Sequence, residues 1–90
     1  MTIPQVSKNE IAILKELKAR KAPVYGLELV HDGIASRGGV YVELRRLEKK
    51  GLVMSEREGR ERLYELTDAG RGWLKARAIL ERYVEDRGIR

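Results

Sequence analysis

The 90-residue sequence predicts one small, mainly helical domain with a single β-hairpin. Apolar residues recur every three or four positions in several segments, which is typical of amphipathic helices. Two strand-like runs flank a short glycine-containing turn, which is typical of a hairpin. The chain is too short for a second domain, and it contains no cysteine, so neither disulfides nor thiolate zinc sites are available.

The first helix is predicted over residues 8–20. Ser7 and Glu10 stand three positions apart before an apolar run, which is the pattern of a capping box. Pro23 follows the helix and favours its end at about residue 20. A very short strand is expected at residues 24–25.

The second helix is predicted over residues 25–32, with Leu27 and Val30 facing inward and a stop at Gly33. The third helix is expected to open at Ser36. It carries apolar residues at i, i+4 and i+7, and it ends before a glycine at the position of a C-terminal cap.

The rest of the chain predicts a hairpin and a long helix. Strand-like runs at residues 52–57 and 60–66 surround a turn at Glu58 and Gly59. Thr67 and Asp68 then cap a final helix that continues to about residue 87. Three helices, a two-stranded hairpin and a fourth helix form the winged helix-turn-helix arrangement (α-α-α-β-β-α). We expect a DNA-binding unit over residues 1–66 and a dimerisation helix over residues 67–90 within one compact body.

The charge of the chain favours a polyanionic partner. The net charge is +5, and the basic excess falls in three blocks, residues 8–22, 36–62 and 71–90, none of which is a polybasic tail. The chain has no apolar run long enough to span a membrane and no signal-like N-terminus. We therefore expect a cytoplasmic, nucleoid-associated protein.

The third helix has a cationic side opposite its apolar side. On a helical wheel this outward side holds Gly38, Val42, Arg45 and Lys49, with Arg46 near its edge. Arginine and lysine can donate to guanine or to phosphate, and a valine can contact a thymine methyl group. Glycines at the start of a helix let backbone N–H groups approach a phosphate. Simple solvation of a basic helix face remains an equally good explanation of this pattern.

The hairpin adds three arginines that a wing could direct toward DNA, Arg57, Arg60 and Arg62. Glu56, Glu58 and Glu61 alternate with them. The alternative is therefore a hairpin whose arginines are bound to neighbouring glutamates in solvated ion pairs of little energetic value.

Residues 36–53 read S-R-G-G-V-Y-V-E-L-R-R-L-E-K-K-G-L-V, which closely resembles the recognition-helix segment S-P-G-T-L-Y-P-x-L-x-R-L-E-x-x-G-L-V of PadR-like transcriptional regulators. Tyr25 and Gly26 match the Y-G of that family, and residues 64–70 match its Y-x-L-T-x-x-G. Gly39 and Val42 stand where the family usually has Thr and Pro. The part after Gly70 is short relative to family members with long effector-sensing C-terminal regions.

The resemblance implies a dimeric DNA-binding regulator, usually a repressor. It also assigns a phosphate contact to Tyr41. From the pattern and the resemblance together, the predicted DNA-binding residues are Arg37, Gly38, Gly39, Tyr41, Val42, Arg45, Arg46, Lys49, Arg57, Arg60 and Arg62.

The last helix carries the pattern of a short coiled-coil seam. The expected homodimer interface consists of Trp73, Ala76, Leu80, Tyr83 and Val84, and the alternative is that this helix packs only on its own chain. Trp73 could also line a pocket for a small aromatic effector between subunits, although a tryptophan in a helix is more often part of a core.

No pattern in the sequence indicates catalysis. His31 is the only histidine, no serine stands in a nucleophile-elbow motif, and the glycines match no phosphate-binding or dinucleotide fingerprint. We therefore expect that the protein is not an enzyme and that it binds neither a metal nor a cofactor. Two alternatives to a sequence-specific regulator are a winged-helix adaptor for other proteins and a non-specific architectural DNA binder.

Overall fold

The computed structural model describes the backbone of residues 3–87 and the side chains of residues 3–85. The helices are α1 (Lys8–Arg20), α2 (Gly26–His31), α3 (Val40–Lys49) and α4 (Asp68–Arg87), and the strands are β1 (Val24–Tyr25), β2 (Val53–Glu58) and β3 (Glu61–Leu66). The predicted winged helix-turn-helix order is confirmed. Residues 1–2 and 88–90, at the outer ends of the two expected units, lie outside the described residues.

The sheet has three strands rather than the two of the predicted hairpin. Its order is β1-β3-β2, and all neighbouring strands are antiparallel. The short strand β1 was predicted, but its pairing with β3 was not. Val24 lies opposite Tyr64, and two residues carry no signal of a partner 40 positions away. The turn lies at Gly59 and Arg60, one residue later than predicted.

The helix α1 begins at the predicted capping box. The Ser7 hydroxyl accepts a hydrogen bond from the Glu10 backbone N–H at 3.2 Å, and the Glu10 carboxylate accepts one from the Ser7 N–H at 3.3 Å. Two of the N–H groups that a helix start leaves unpaired are thus satisfied. Glu10 is also almost fully buried, with 3% of its surface exposed, and its second oxygen lies 2.7 Å from Lys50 Nζ.

Two predicted details of the helices are wrong. The helix α3 begins at Val40 and not at Ser36, since Ser36 instead forms a turn in which its hydroxyl accepts from the Gly39 N–H at 3.1 Å. Paired glycines make a helix costly at this point. In α2, Leu27 is 42% exposed and Val30 only partly buried, because this six-residue helix directs Leu29 into the core.

The core lies between α1, α2, α3, the sheet and the first turns of α4. Its centre is formed by six side chains with no more than 1% exposure, which are Ile13, Leu14, Leu29, Val40, Leu44 and Leu47. Leu74 brings α4 into this cluster, and Trp73 packs at its edge.

The start of α4 is attached to the connection between α3 and β2. The Thr67 hydroxyl donates to the Gly51 carbonyl at 2.6 Å, and the Thr67 N–H donates to the Leu52 carbonyl at 3.1 Å. Gly70 packs so close that a Cβ added there would lie 2.1 Å from the Leu52 carbonyl oxygen. The T-x-x-G sequence is therefore a packing requirement, because only glycine fits against that carbonyl.

We expect Gly70→Ala to lower the free energy of unfolding by about 3 kcal/mol, since the added methyl must displace backbone. The matched control is Gly72→Ala in the same helix, where an added Cβ meets nothing within 4 Å. That control should raise stability by about 0.5–1 kcal/mol, because alanine is the better helix former. Urea unfolding followed by circular dichroism measures both, and equal effects would contradict the packing argument.

The pKa of Glu10 lies below its ordinary value of 4.5: burial raises it, but hydrogen bonds from Lys50 and Ser7 lower it by more. A lowered pKa in the folded state contributes stability that is present above about pH 4.5 and is lost as the pH falls through the folded pKa.

We therefore expect Glu10→Gln to cost about 1–3 kcal/mol at pH 7 and progressively less below pH 4.5. Denaturant unfolding of both proteins between pH 2 and pH 7 gives this difference. The exposed Glu56→Gln is the control and should show almost no difference at any pH. A Glu10→Gln deficit that stayed constant down to pH 2 would contradict the role of the charged pair.

Candidate nucleic-acid interface

The helix α3 buries one side completely and exposes the other. Val40, Leu44 and Leu47 are fully buried at i, i+4 and i+7. This row fixes the rotation of the helix, so the opposite side must face solvent. Tyr41 and Val42 are 42% and 44% exposed, and the basic residues Arg45, Arg46 and Lys49 are exposed as well.

The hairpin stands beside this exposed side and forms an open cleft of about 370 Å³ with it. The cleft contains five of the predicted site residues together with three that were not predicted, and its lining is Tyr41, Arg45, Arg57, Arg60, Arg62, Glu48, Glu61 and Tyr64. The other predicted residues lie outside the cleft lining, on the exposed surface of α3 or in the turn before it: Arg37, Gly38, Gly39, Val42, Arg46 and Lys49.

The alternation of side chains along β2 and β3 separates most of the hairpin charges. Ser55 and Arg57 lie on one face of β2, whereas Glu56 and Glu58 lie on the other, as a pleated strand requires. Arg57 stands directly opposite Arg62 in the strand register. Like charges at such a position are unfavourable on their own, so this face favours an anion.

The arginines of the cleft are not used up by neighbouring glutamates. Within the described side chains, Arg45, Arg57, Arg60 and Arg62 form no ion pair. Arg57 donates to its own turn, at the Gly59 carbonyl 3.1 Å away. The alternative of a hairpin bound up in arginine–glutamate pairs is therefore not what the structure has. Arg37, Arg46 and Lys49, which lie outside the cleft lining, likewise form no ion pair with a described acid.

The two tyrosines on β1 and β3 have raised pKa values for different reasons. Burial raises the pKa of Tyr64 most, with the Glu48 carboxylate adding to it, so its phenol stays neutral at the floor of the cleft. The Glu58 carboxylate is the main cause of the raised pKa of Tyr25. Glu58 thus lies close to Tyr25 of β1.

Gly26 provides the space in which the Tyr41 ring packs. A Cβ added to Gly26 would lie 2.7 Å from Cε1 of Tyr41 and 3.2 Å from its hydroxyl oxygen. The tyrosine of α3 is therefore placed by a glycine of α2, 15 positions earlier. This contact gives a physical reason for the glycine of the Y-G pattern noted in the sequence.

The helix α4 presents a second exposed surface, which is apolar. Leu80, Tyr83 and Val84 are 64%, 51% and 38% exposed, and Ala76 is exposed between them and Trp73. Ile79, which the sequence pattern left out, is 59% exposed one turn before Tyr83. We call the surface of Ala76, Ile79, Leu80, Tyr83 and Val84 the α4 face.

Trp73 lies at the inner end of the α4 face and is partly buried against the core of its own chain. Its indole N–H donates to the Pro4 carbonyl at 3.3 Å. The segment before α1 is thereby attached to α4.

Three helices followed by a basic two-stranded wing define the class of winged helix-turn-helix proteins. Residues 13–76 match the model of the transcriptional regulator PadR-like family, which is more than half of the chain. The protein belongs to this family, and the resemblance in the sequence is confirmed. No curated protein sequence matches the chain.

Solved structures share the fold at low identity. A PadR family transcription regulator from hypervirulent Clostridium difficile R20291 is 24% identical with a TM-score of 0.70, and the match covers 89% of this chain and 93% of that one. BpsR of Bordetella bronchiseptica, whose DNA binding is regulated by 6-hydroxynicotinic acid, is 18% identical with a TM-score of 0.76 over 96% of this chain and 68% of that one.

A probable transcriptional regulator from Pseudomonas aeruginosa is 23% identical with a TM-score of 0.75. That match covers 93% of this chain but only 65% of the Pseudomonas chain. Within the described part of the chain, no helix is both long enough and apolar enough to cross a membrane.

Proposed function

We propose that this regulator binds double-stranded DNA sequence-specifically as a homodimer and represses transcription in the cytoplasm, at the nucleoid. The observation that carries the proposal is the cationic cleft. Arg45 of α3 and Arg57 and Arg62 of the wing face the same space, and none of them is neutralised by a described acid. A phosphate backbone supplies the negative charge that such a surface needs.

The exposed side of α3 enters the major groove in this proposal. Arg45, Arg46 and Lys49 donate to guanine O6 and N7 or to phosphates, and Val42 contacts a thymine methyl group. Tyr41 donates its hydroxyl to a phosphate. The turn of Arg37, Gly38 and Gly39 lies before the helix and brings backbone N–H groups and one guanidinium to the DNA backbone.

The wing contacts the backbone or the adjacent minor groove with Arg57, Arg60 and Arg62. Because Glu56 and Glu58 lie on the opposite face of the hairpin, the arginines approach the duplex without them. Glu61 remains in the cleft lining, and its repulsion of phosphate limits how deeply the backbone enters there.

We expect Arg45→Ala and Arg46→Ala each to weaken binding by about 1–3 kcal/mol, since each removes one base or phosphate contact. Fluorescence anisotropy with a labelled duplex, selected from a random-sequence pool by the wild-type protein, measures the affinity. Arg82→Ala, an exposed arginine on α4, is the control and should bind like the wild type.

The salt dependence of the same titration is a second test of DNA binding. The affinity should fall steeply with salt concentration, because bound phosphates release counterions. A protein with Arg45, Arg46 and Lys49 all changed to glutamate should lose DNA binding. If it instead kept a protein partner, and the wild type showed no binding to the selected duplex, an adaptor role would replace this proposal.

The α4 face is the proposed dimer interface, and its occupant is the α4 of a second copy. Trp73, Ala76, Leu80, Tyr83 and Val84 would form the contact, with Ile79 widening it. An exposed apolar surface on one side of a 20-residue helix is unfavourable in water, and packing against the same surface of a second copy would bury it. A two-fold dimer would place two α3 helices about one helical turn of DNA apart, roughly 34–36 Å.

We expect Leu80→Lys to convert the dimer into a monomer that remains folded, because Leu80 is 64% exposed and contributes nothing to the core of its own chain. Analytical ultracentrifugation over a range of concentrations gives the mass. Ala78→Lys adds the same charge on another side of α4 and should remain dimeric. A monomeric wild type would contradict the proposal, as would a dimeric Leu80→Lys variant.

The most detailed part of the proposal is that a small aromatic effector binds beside Trp73. The partly exposed indole of Trp73 lies at the edge of the α4 face, where the second copy would supply the other wall of a site. Quenching of the fluorescence of this single tryptophan would report such a ligand directly. BpsR, which has the same fold, provides a precedent for control of DNA binding by an aromatic acid.

A further inference from the structure

Three side chains from three elements form a chain of hydrogen bonds beside the cleft, and two of them, Glu48 and Arg62, belong to the cleft lining. The Ser55 hydroxyl on β2 donates to Oε2 of Glu48 on α3 at 2.9 Å. The same hydroxyl oxygen accepts a hydrogen bond from a terminal nitrogen of Arg62 on β3 at 3.1 Å. Ser55 therefore stands between a carboxylate of the helix and a guanidinium of the wing.

The location of these hydrogen bonds follows from the strand register. Ser55 lies opposite Tyr64, and Arg57 lies opposite Arg62, so Ser55 and Arg62 are diagonal neighbours on the face that looks toward α3. Glu48 is partly buried one turn after Arg45. No other side-chain hydrogen bond or ion pair joins α3 to the hairpin among the described residues.

The serine also stands between two opposite charges. Glu48 and Arg62 share Ser55 as a hydrogen-bond partner, yet they form no ion pair of 4 Å or less. A direct pair would neutralise the guanidinium that faces the cleft. With the hydroxyl between them, Arg62 uses one N–H toward Ser55 and keeps its other donors for a ligand.

We propose that Ser55 is a positioning residue for DNA binding: its hydroxyl holds Arg62 toward the cleft and prevents its capture by Glu48. The inference rests on the proposed function, since a role for Arg62 requires that the wing bind DNA. It adds Ser55, which neither the sequence pattern nor the family resemblance selected. It also gives a role to Glu48, which matches the E of the family motif but was not among the predicted DNA-binding residues.

The test compares Ser55→Ala with Ser55→Thr. Alanine removes the hydroxyl, whereas threonine keeps it and suits a strand. Loss of one or two hydrogen bonds to a charged group predicts that Ser55→Ala binds the selected duplex about 3- to 10-fold more weakly. Ser55→Thr should bind like the wild type. Thermal melting of each variant checks that the fold is unchanged.

Two further variants separate positioning from a general structural effect. If Ser55 acts through Arg62, then Ser55→Ala should cause no additional loss in an Arg62→Ala background, and the salt slope of both should be lower by about one than that of the wild type. Adding Glu48→Gln to Ser55→Ala should restore affinity, because the carboxylate that captures Arg62 is gone.

Additive losses for Ser55→Ala and Arg62→Ala, an unchanged salt slope, or wild-type affinity in Ser55→Ala would overturn the inference while leaving DNA binding intact. Failure of the wild type and Ser55→Thr to bind any selected duplex would instead overturn the proposed function. The two failures are therefore distinguishable in one set of titrations.

Discussion

The complete burial of one row of α3 is the constraint on which the rest of the molecule depends. Val40, Leu44 and Leu47 have no exposed surface, so the helix has one possible rotation against the core. The basic residues on the other side are exposed as a direct result. The packing energy of three aliphatic side chains, about 1.5–3 kcal/mol each, thus fixes where the charge lies. The hairpin packed beside this exposed side of α3 completes the cationic cleft.

The local parts of this fold were predictable from the sequence, and the long-range parts were not. The capping box of Ser7 and Glu10 and the glycine of the hairpin turn are signals contained within a few residues. The burial of Glu10 against Lys50 has no such signal, because its partner lies 40 positions away. The pairing of β1 with β3 and the inward turn of Leu29 were missed for the same reason, as both depend on packing between elements.

The candidate site shows the same division between local and long-range information. A helical wheel placed Arg45, Arg46 and Lys49 on the outer side of α3, where the structure has them. The wheel could not identify Glu48 or Ser55, whose hydrogen bond forms only when the hairpin folds against the helix. Simple alternation along β2 does place Ser55 on the same face as Arg57, so that part of the signal was present.

The contact between Gly26 and Tyr41 links the two helices of the helix-turn-helix. A methyl group at position 26 would occupy the space of the phenol ring. Alanine at position 26 would therefore require the exposed end of the Tyr41 ring to move away from α2. The glycine thus determines how closely the Tyr41 ring can lie against α2, and with it where the phenol hydroxyl stands on the exposed side of the helix-turn-helix.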